Sequence, residues 1–237
     1  MLYLSAKLNP KNVSVLDSRE PTRHHLITKP HAMKRIRLTR EQSRDQTRER
    51  LLDAAQAMFM KKGFVAASVE DIAHAAGYTR GAFYSNFSGK SDLLVELLRR
   101  DHEAMQTDLR AIFETEVSRE QMEARVLTYY SRMPQDNKVF LLWVEAKLLA
   151  ARDARFRVRF NAFMQEKRDS LAAYIEEFSR RVGTPLPIEP QLLAVGLMGL
   201  CDGVQFLATA DPQHVTPPVV ETVLASFLAR VVFGRDA

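Results

Sequence analysis

The stretch Phe64-Val65-Ala66-Ala67-Ser68-Val69-Glu70-Asp71-Ile72-Ala73-His74-Ala75-Ala76-Gly77-Tyr78-Thr79-Arg80-Gly81-Ala82-Phe83-Tyr84-Ser85-Asn86-Phe87-Ser88-Gly89-Lys90-Ser91-Asp92 decides the fold. Ser68-Val69-Glu70-Asp71 has the capping-box form and opens a short helix predicted to reach Gly77. Thr79 caps a second, predicted from Arg80 to about Phe87. Gly77 marks a tight turn between them. Ile72, Ala73 and Ala76 give the first helix a small, apolar face, and Phe83 and Phe87, four apart, give one to the second. Helices this short are unstable alone and must pack steeply against a third, which is the recipe for a helix-turn-helix. The same spacing suits a plain αα-hairpin, and periodicity does not separate the two.

The chain on either side continues as helix. Ser43-Arg44-Asp45-Gln46 is a capping box before Leu51, Leu52, Ala55, Met58 and Phe59, an apolar stripe that Gly63 stops. Ser88 starts a longer helix carrying Leu93, Leu94, Leu97 and Leu98, then Met105, Leu109, Ile112 and Phe113. Further stripes follow: Met122 to Met133, closed by Pro134; Phe140, Trp143, Val144 and Leu148; and Phe156 to Phe178, ending near Gly183. Pro190 can take the first position of a helix to about Ala210, and Thr216-Pro217 open a last one to Phe233. No run alternates with period two, and no internal repeat stands out. The expected fold is all-α, with about nine helices. A three-helix, homeodomain-like module occupies 33–90 and a second helical domain 91–237. Residues 1–32 hold Pro10, Pro21 and Pro30 without a sustained period and read as a disordered tail, with Met33 as an alternative start.

Composition narrows the class. Among 237 residues, 46% are hydrophobic and 27% charged, as in an ordinary globular protein. A single cysteine, Cys201, excludes a disulfide framework and any cysteine-based zinc site, and fits a reducing, cytoplasmic location. The longest uncharged apolar run, Leu192 to Cys201, is about half what a membrane span needs, so no membrane partner is expected. Charge is uneven: net +3 over 1–32, +5 over 33–90 and −3 over 91–237. A basic front third suits a polyanion, though a solvated surface has the same composition.

The second short helix has a face suited to a major groove. Arg80 lies in its first turn, where a guanidinium can fork onto guanine O6 and N7. Gly81 and Ala82 are small enough for close approach to base edges, and Tyr84 and Asn86 offer polar tips at the flank. Lys90 and the helix starts at Ser68 and Ser88 can hold phosphates. Lys34, Arg35 and Arg37 suit either a minor-groove arm or a solvated tail.

Over residues 44–98 the chain resembles the tetracycline-repressor-like (TetR) transcription regulators. Thr79-Arg80-Gly81-Ala82-Phe83-Tyr84, Phe87 and Lys90-Ser91-Asp92-Leu93-Leu94 are especially similar to the multidrug-efflux-repressor branch. Thr47 to Ala55, Phe59 and Gly63-Phe64 match the family's first helix. The resemblance implies base reading by Arg80 and Ala82, phosphate contacts from Tyr84 and Lys90, and backbone contacts at Ser68 and Thr79. Ser85-Asn86 replaces the Trp-His type of pair many relatives carry, so no operator sequence transfers. The resemblance also implies a ligand-binding and dimerisation domain over 91–237. The protein is then a homodimeric repressor released from a palindromic operator on double-stranded DNA by a small hydrophobic effector. A ligand or protein binder that no longer holds DNA is the rival, and a helical enzyme on a hydrophobic substrate is a further one.

Met105, Phe113, Tyr129, Phe140, Trp143, Phe163 and Tyr174 are the candidates for the effector pocket, against the plainer reading that they fill the core. Arg152, Arg155, Arg157 and Arg159 suit an anionic ligand group or an exposed helix face. Helices over about 190–210 and 217–233 are the expected dimer surface, through Leu192, Leu193, Gly196, Gly199, Leu200, Gly203 and Phe206 and, on the last helix, Phe227 with the valines and leucines of 219–231. No catalytic set, metal-ligand spacing or cofactor motif is visible. Gly89-Lys90-Ser91 ends like a P-loop, but Tyr84 stands where its first glycine belongs and no strand precedes it.

Overall fold

Capping side chains set most of the helix boundaries. The computed structural model describes residues 39–114, 118–136 and 139–234, with backbone alone over 132–136. The tail 1–32, Met33, the arm Lys34, Arg35 and Arg37, and the side chains of Met133 and Pro134 lie outside the described residues. The helices are α1 (Arg40–Ala66), α2 (Val69–Ala75), α3 (Arg80–Tyr84), α4 (Lys90–Glu114), α5 (Arg119–Asp136), α6 (Phe140–Arg152), α7 (Ala154–Val182), α8 (Pro190–Ala210) and α9 (Pro217–Phe227), followed by a π-helical turn over Leu228–Val232. The fold is all-α, and no strand occurs among the described residues.

Several boundaries differ from expectation for local reasons. α1 starts upstream of Ser43, because Thr39 and Gln42 form a full capping box: Thr39 Oγ1 accepts from Gln42 N at 3.1 Å and Gln42 Oε1 from Thr39 N at 2.9 Å. Gly63, at φ 81°, breaks α1 as expected, but one more turn follows it to Ala66. α3 stops at Tyr84, where Ser85 Oγ and Asn86 Nδ2 donate to the carbonyls of Gly81 and Ala82. α5 runs past Pro134 to Asp136, and the missing N–H forgoes one helical bond in its last turn. Asp153 starts α7 by accepting from Arg155 N at 2.8 Å and Phe156 N at 3.0 Å, and Gly183, at φ 67°, ends it. Pro190 is the first residue of α8 as expected.

The helices share two main cores. The first joins Leu51, Leu52, Ala55 and Phe59 of α1 to Ile72 and Ala73 of α2, Phe83 of α3 and Phe87. It continues through Leu93, Leu94, Leu97 and Leu98 of α4 to Leu142 and Trp143 of α6 and Phe156, Phe160 and Phe163 of α7. It therefore crosses the expected domain boundary at 90 without a gap. The second core holds Leu109, Ile112 and Phe113 of α4, Val126 and Tyr130 of α5, Phe178 of α7, Leu197 of α8, Leu224 of α9, Leu228 and Val232 of the π-turn, and Phe233 just after it. α4 belongs to both. Each fully buried Leu or Phe contributes roughly 1.5–3 kcal/mol, whereas exposed ion pairs contribute about 0–1.

α8 is long and apolar enough, by length and composition, to cross a membrane. Its Asp202 pairs with Lys147 at 2.5 Å, and Leu193, Ala194, Leu197 and Cys201 face inward against the other helices. Leu148, placed in a buried stripe by its spacing, is 51% exposed.

Candidate functional site

The short helix pair is held by its caps. Ser68 Oγ accepts from Asp71 N, and Asp71 Oδ2 accepts from Ser68 N, both at 3.0 Å. Asp71 also accepts from Lys62 Nζ at 2.6 Å, and these bonds hold its carboxyl well below the usual range. Gly77 turns the chain at φ 76°, a left-handed conformation that favours glycine. Thr79 Oγ1 caps α3 by accepting from Ala82 N at 3.2 Å. Phe83 and Phe87 are buried beneath, with ring centroids 5.7 Å apart.

This leaves one face of α3 in solvent. Thr79, Arg80, Gly81 and Tyr84 are exposed, and Ala82 is half-buried beside them. Arg80 pairs with Glu70 at 2.7 Å and lies 5.5 Å from the Tyr84 ring. The pair is solvated on both sides, so releasing the guanidinium costs little.

Two residues of the expected contact set turn inward instead. Asn86 Nδ2 donates to Ala82 O at 2.8 Å, while its backbone carbonyl accepts from Arg48 at 3.1 Å. Lys90 Nζ donates to the carbonyls of Phe64 (2.7 Å), Val65 (3.1 Å) and Ala67 (2.8 Å). The end of α1 at Ala66 leaves these carbonyls without helical donors, and the ammonium supplies them, 4.5 Å from the Phe64 ring. Lys90 is thus a staple between α1 and α4. Glu145 of α6 completes the junction by accepting from Phe64 N at 2.8 Å.

Behind α4 lies a cavity of about 770 Å³, its open mouth included. It is walled by α4, α5, α6, α7 and α8. Of the effector-pocket candidates, Met105, Tyr129, Phe140, Trp143 and Tyr174 line it. Phe113 and Phe163 do not. Phe113 stacks on Tyr174 at 5.2 Å and borders a smaller apolar hollow alongside, and Phe163 stacks behind Trp143 at 5.7 Å. The basic cluster lies elsewhere: Arg152, Arg155 and Arg157 are exposed, and Arg159 pairs with Asp92.

The polar part of the wall escaped the sequence reading. It consists of His102, Gln106, Lys147, Lys167, Asp202 and Gln205. One signal was available: Asp202 and Gln205 interrupt an otherwise apolar helix, and Lys167 follows Phe163 by one turn. Trp143 Nε1 donates to Asp101 at 2.9 Å, and burial raises that carboxyl's pKa. Burial, with Lys167 and Arg99 nearby, lowers the His102 pKa to about 4. Burial also pulls Lys167 below its ordinary value and pushes the Cys201 thiol up to about 12, which leaves that thiol unreactive.

The outer surface of α8 is apolar. Leu192, Val195, Phe206 and Leu207 are each more than half exposed, and a Cβ built on Gly196, Gly199 or Gly203 would meet nothing within 4 Å. Val219 and Val223 of α9 are exposed too. Leu193, Val220, Leu224 and Leu228, assigned to this surface from the sequence, pack inward.

Comparison with known proteins agrees with this geometry. Residues 51–97 match the model of bacterial regulatory proteins of the tetR family, and residues 118–232 that of the C-terminal domain of BetI-type transcriptional repressors. The chain belongs to the TetR family. Among curated TetR-family relatives, the transcriptional regulator TtgR of Pseudomonas putida is 40% identical over 68 residues, 29% of this chain and 32% of TtgR. The match thus spans about a third of that relative's length. A TetR regulator from Haloarcula marismortui superposes with TM-score 0.64 at 17% identity, covering 79% of this chain and 98% of that one. SmeT, repressor of the Stenotrophomonas maltophilia multidrug efflux pump SmeDEF, superposes with TM-score 0.57 at 23% identity, covering 79% and 92%. A structure of SmeT in complex with triclosan matches at 25% identity, with TM-score 0.57, covering 78% and 91%.

Proposed function

We propose that this TetR-family chain is a homodimeric transcriptional repressor that leaves its operator when a small hydrophobic effector enters the cavity. The observation that carries it is the solvated face of α3, with Arg80, Gly81 and Tyr84 held outward by the capped turn at Gly77. An α-helix presented this way fits a major groove, with a first-turn arginine on base edges. Two copies related by a two-fold axis through the apolar faces of α8 and α9 present two such helices to a palindromic site. The DNA-binding module is 33–90 and the effector and dimer domain 91–237, with α4 shared between them. DNA as partner supports a cytoplasmic location.

α4 and α6 couple the two regions. α4 lines the cavity through His102, Met105, Gln106 and Leu109, and staples α1 through Lys90. α6 lines it through Phe140, Trp143 and Lys147, and holds the Phe64 amide through Glu145. An effector that favours a different setting of these helices changes the separation of the two recognition helices, and simultaneous engagement of both half-sites is lost. The complex of SmeT with triclosan supports a small-molecule ligand here.

Selection of bound fragments from random duplex DNA tests the proposal, and Arg80→Ala tests the readout. The variant is expected to lose roughly 1–3 kcal/mol on the selected site, with relaxed preference at one base position. Absence of any selected site, with no added small molecule and at moderate salt, would point to a ligand binder without DNA activity.

A further inference from the structure

We infer that the cavity takes an amphipathic carboxylate, its apolar body against Trp143, Tyr129 and Tyr174 and its acidic head on the ammonium of Lys167. This rests on the effector-site role proposed above. The hydrogen-bonding balance of the wall carries it. Among the described residues, the buried side-chain atoms of this wall without a partner are His102 Nδ1 and Gln205 Nε2. Gln205 is 5% exposed, and its Nε2 is a donor. The His102 ring faces Gln106 Nε2 through its own Nε2, at 3.0 Å. The amide donates there, so the imidazole proton sits on Nδ1, which is also a donor.

Lys167 adds a desolvated cation. Its Nζ lies 4.2 Å from the Trp143 ring centre, and among the described residues no carboxylate comes within 4.0 Å of it. The two carboxylates nearest in the electrostatics are already engaged: Asp202 by Lys147 and Asp101 by the Trp143 indole. The buried atoms of the wall that lack a partner are therefore donors, beside an ammonium that no carboxylate touches. A buried donor or cation is costly until an acceptor reaches it. A carboxylate supplies two acceptor oxygens and a charge opposite to that of the ammonium, and its hydrogen bonds to an ammonium are of the stronger, charge-assisted kind. An alcohol brings no charge. A quaternary ammonium would compete with Lys167 for the Trp143 face, where like charges repel.

Trp143 is the only tryptophan in the chain, so its emission reports this cavity alone. The full-length protein is titrated at neutral pH with decanoate, decan-1-ol and decyltrimethylammonium, each below its micellar concentration. Decanoate is expected to give a saturable change and to bind at least about tenfold tighter than decan-1-ol, with no saturable change from the ammonium. Lys167→Met, checked for an unchanged melting curve, should weaken decanoate about tenfold and leave decan-1-ol unaltered, and Gln205→Leu should weaken decanoate less. Equal or tighter binding of the alcohol or the ammonium overturns the inference and leaves the effector site standing, as does full decanoate affinity in Lys167→Met. No response to any of the three overturns both. The comparison within the ligand series needs no variant to fold.

Discussion

Lys90 shows how one side chain can answer two demands. Its charge and its place at the head of α4 suit a phosphate, yet three carbonyls at the end of α1 hold all three of its donors. Lys90→Met is therefore expected to lower stability by roughly 1–3 kcal/mol in chemical denaturation while leaving the salt dependence of DNA affinity unchanged. A flatter salt slope with unaltered stability would mean that the ammonium serves DNA. His102 is the second telling residue. Buried among Lys167, Arg99 and Glu166, it is neutral in the fold down to a pKa of about 4, against 6.5 when unfolded. The unfolded chain thus binds the proton first, so the His102 contribution to stability falls as pH drops from 6.5 towards 4 and is constant above and below that window. Solvent screening keeps the effect to roughly 1–2 kcal/mol, and His102→Gln should remove most of it, as melting temperatures across that window will show.

At the scale of elements, the helix pair depends on turns more than on helix propensity. α2 and α3 have seven and five residues, too few to persist alone. Their mutual setting comes from the caps at Ser68 and Thr79 and from the left-handed glycine between them. Gly77→Ala meets no neighbouring atom, so its cost is conformational strain alone, about 1–2 kcal/mol. Gly63→Ala carries the same strain, and its Cβ would also stand 3.1 Å from Glu145 Oε1, the carboxylate that holds the Phe64 amide. Gly63→Ala is expected to be the more destabilising of the two in urea denaturation, and the reverse order would remove Glu145 from the junction.

For the whole molecule, the question is where the apolar outside of α8 goes. Phe206 and Leu207 lie one turn beyond the open stripe of Gly196, Gly199 and Gly203, which allows close approach of another helix. Phe206→Glu places a charge on that face without touching either core. Sedimentation is expected to show a monomer in place of a dimer, with affinity for a two-half-site duplex reduced roughly 10²-fold or more. A dimer that survives this substitution must pair through another surface.

Much of this protein could be read in one dimension, because capping boxes, apolar stripes and left-handed glycines act within a few residues of one another. The helix order, the burial of Phe83 and Phe87, the turn at Gly77 and the exposed Arg80 all follow from such local rules. Two capping boxes four residues apart, at Thr39 and Ser43, are equally legible, and only the longer helix shows which one closes. The inward turn of Asn86 and Lys90, the polar wall of the cavity and the absence of Phe113 and Phe163 from it were decided by tertiary packing. Those outcomes depend on which carbonyls are orphaned and which donors meet across helices distant in sequence. Periodicity assigns a side chain to a face, but only the neighbouring helix determines whether that face meets a core, a cavity or a partner.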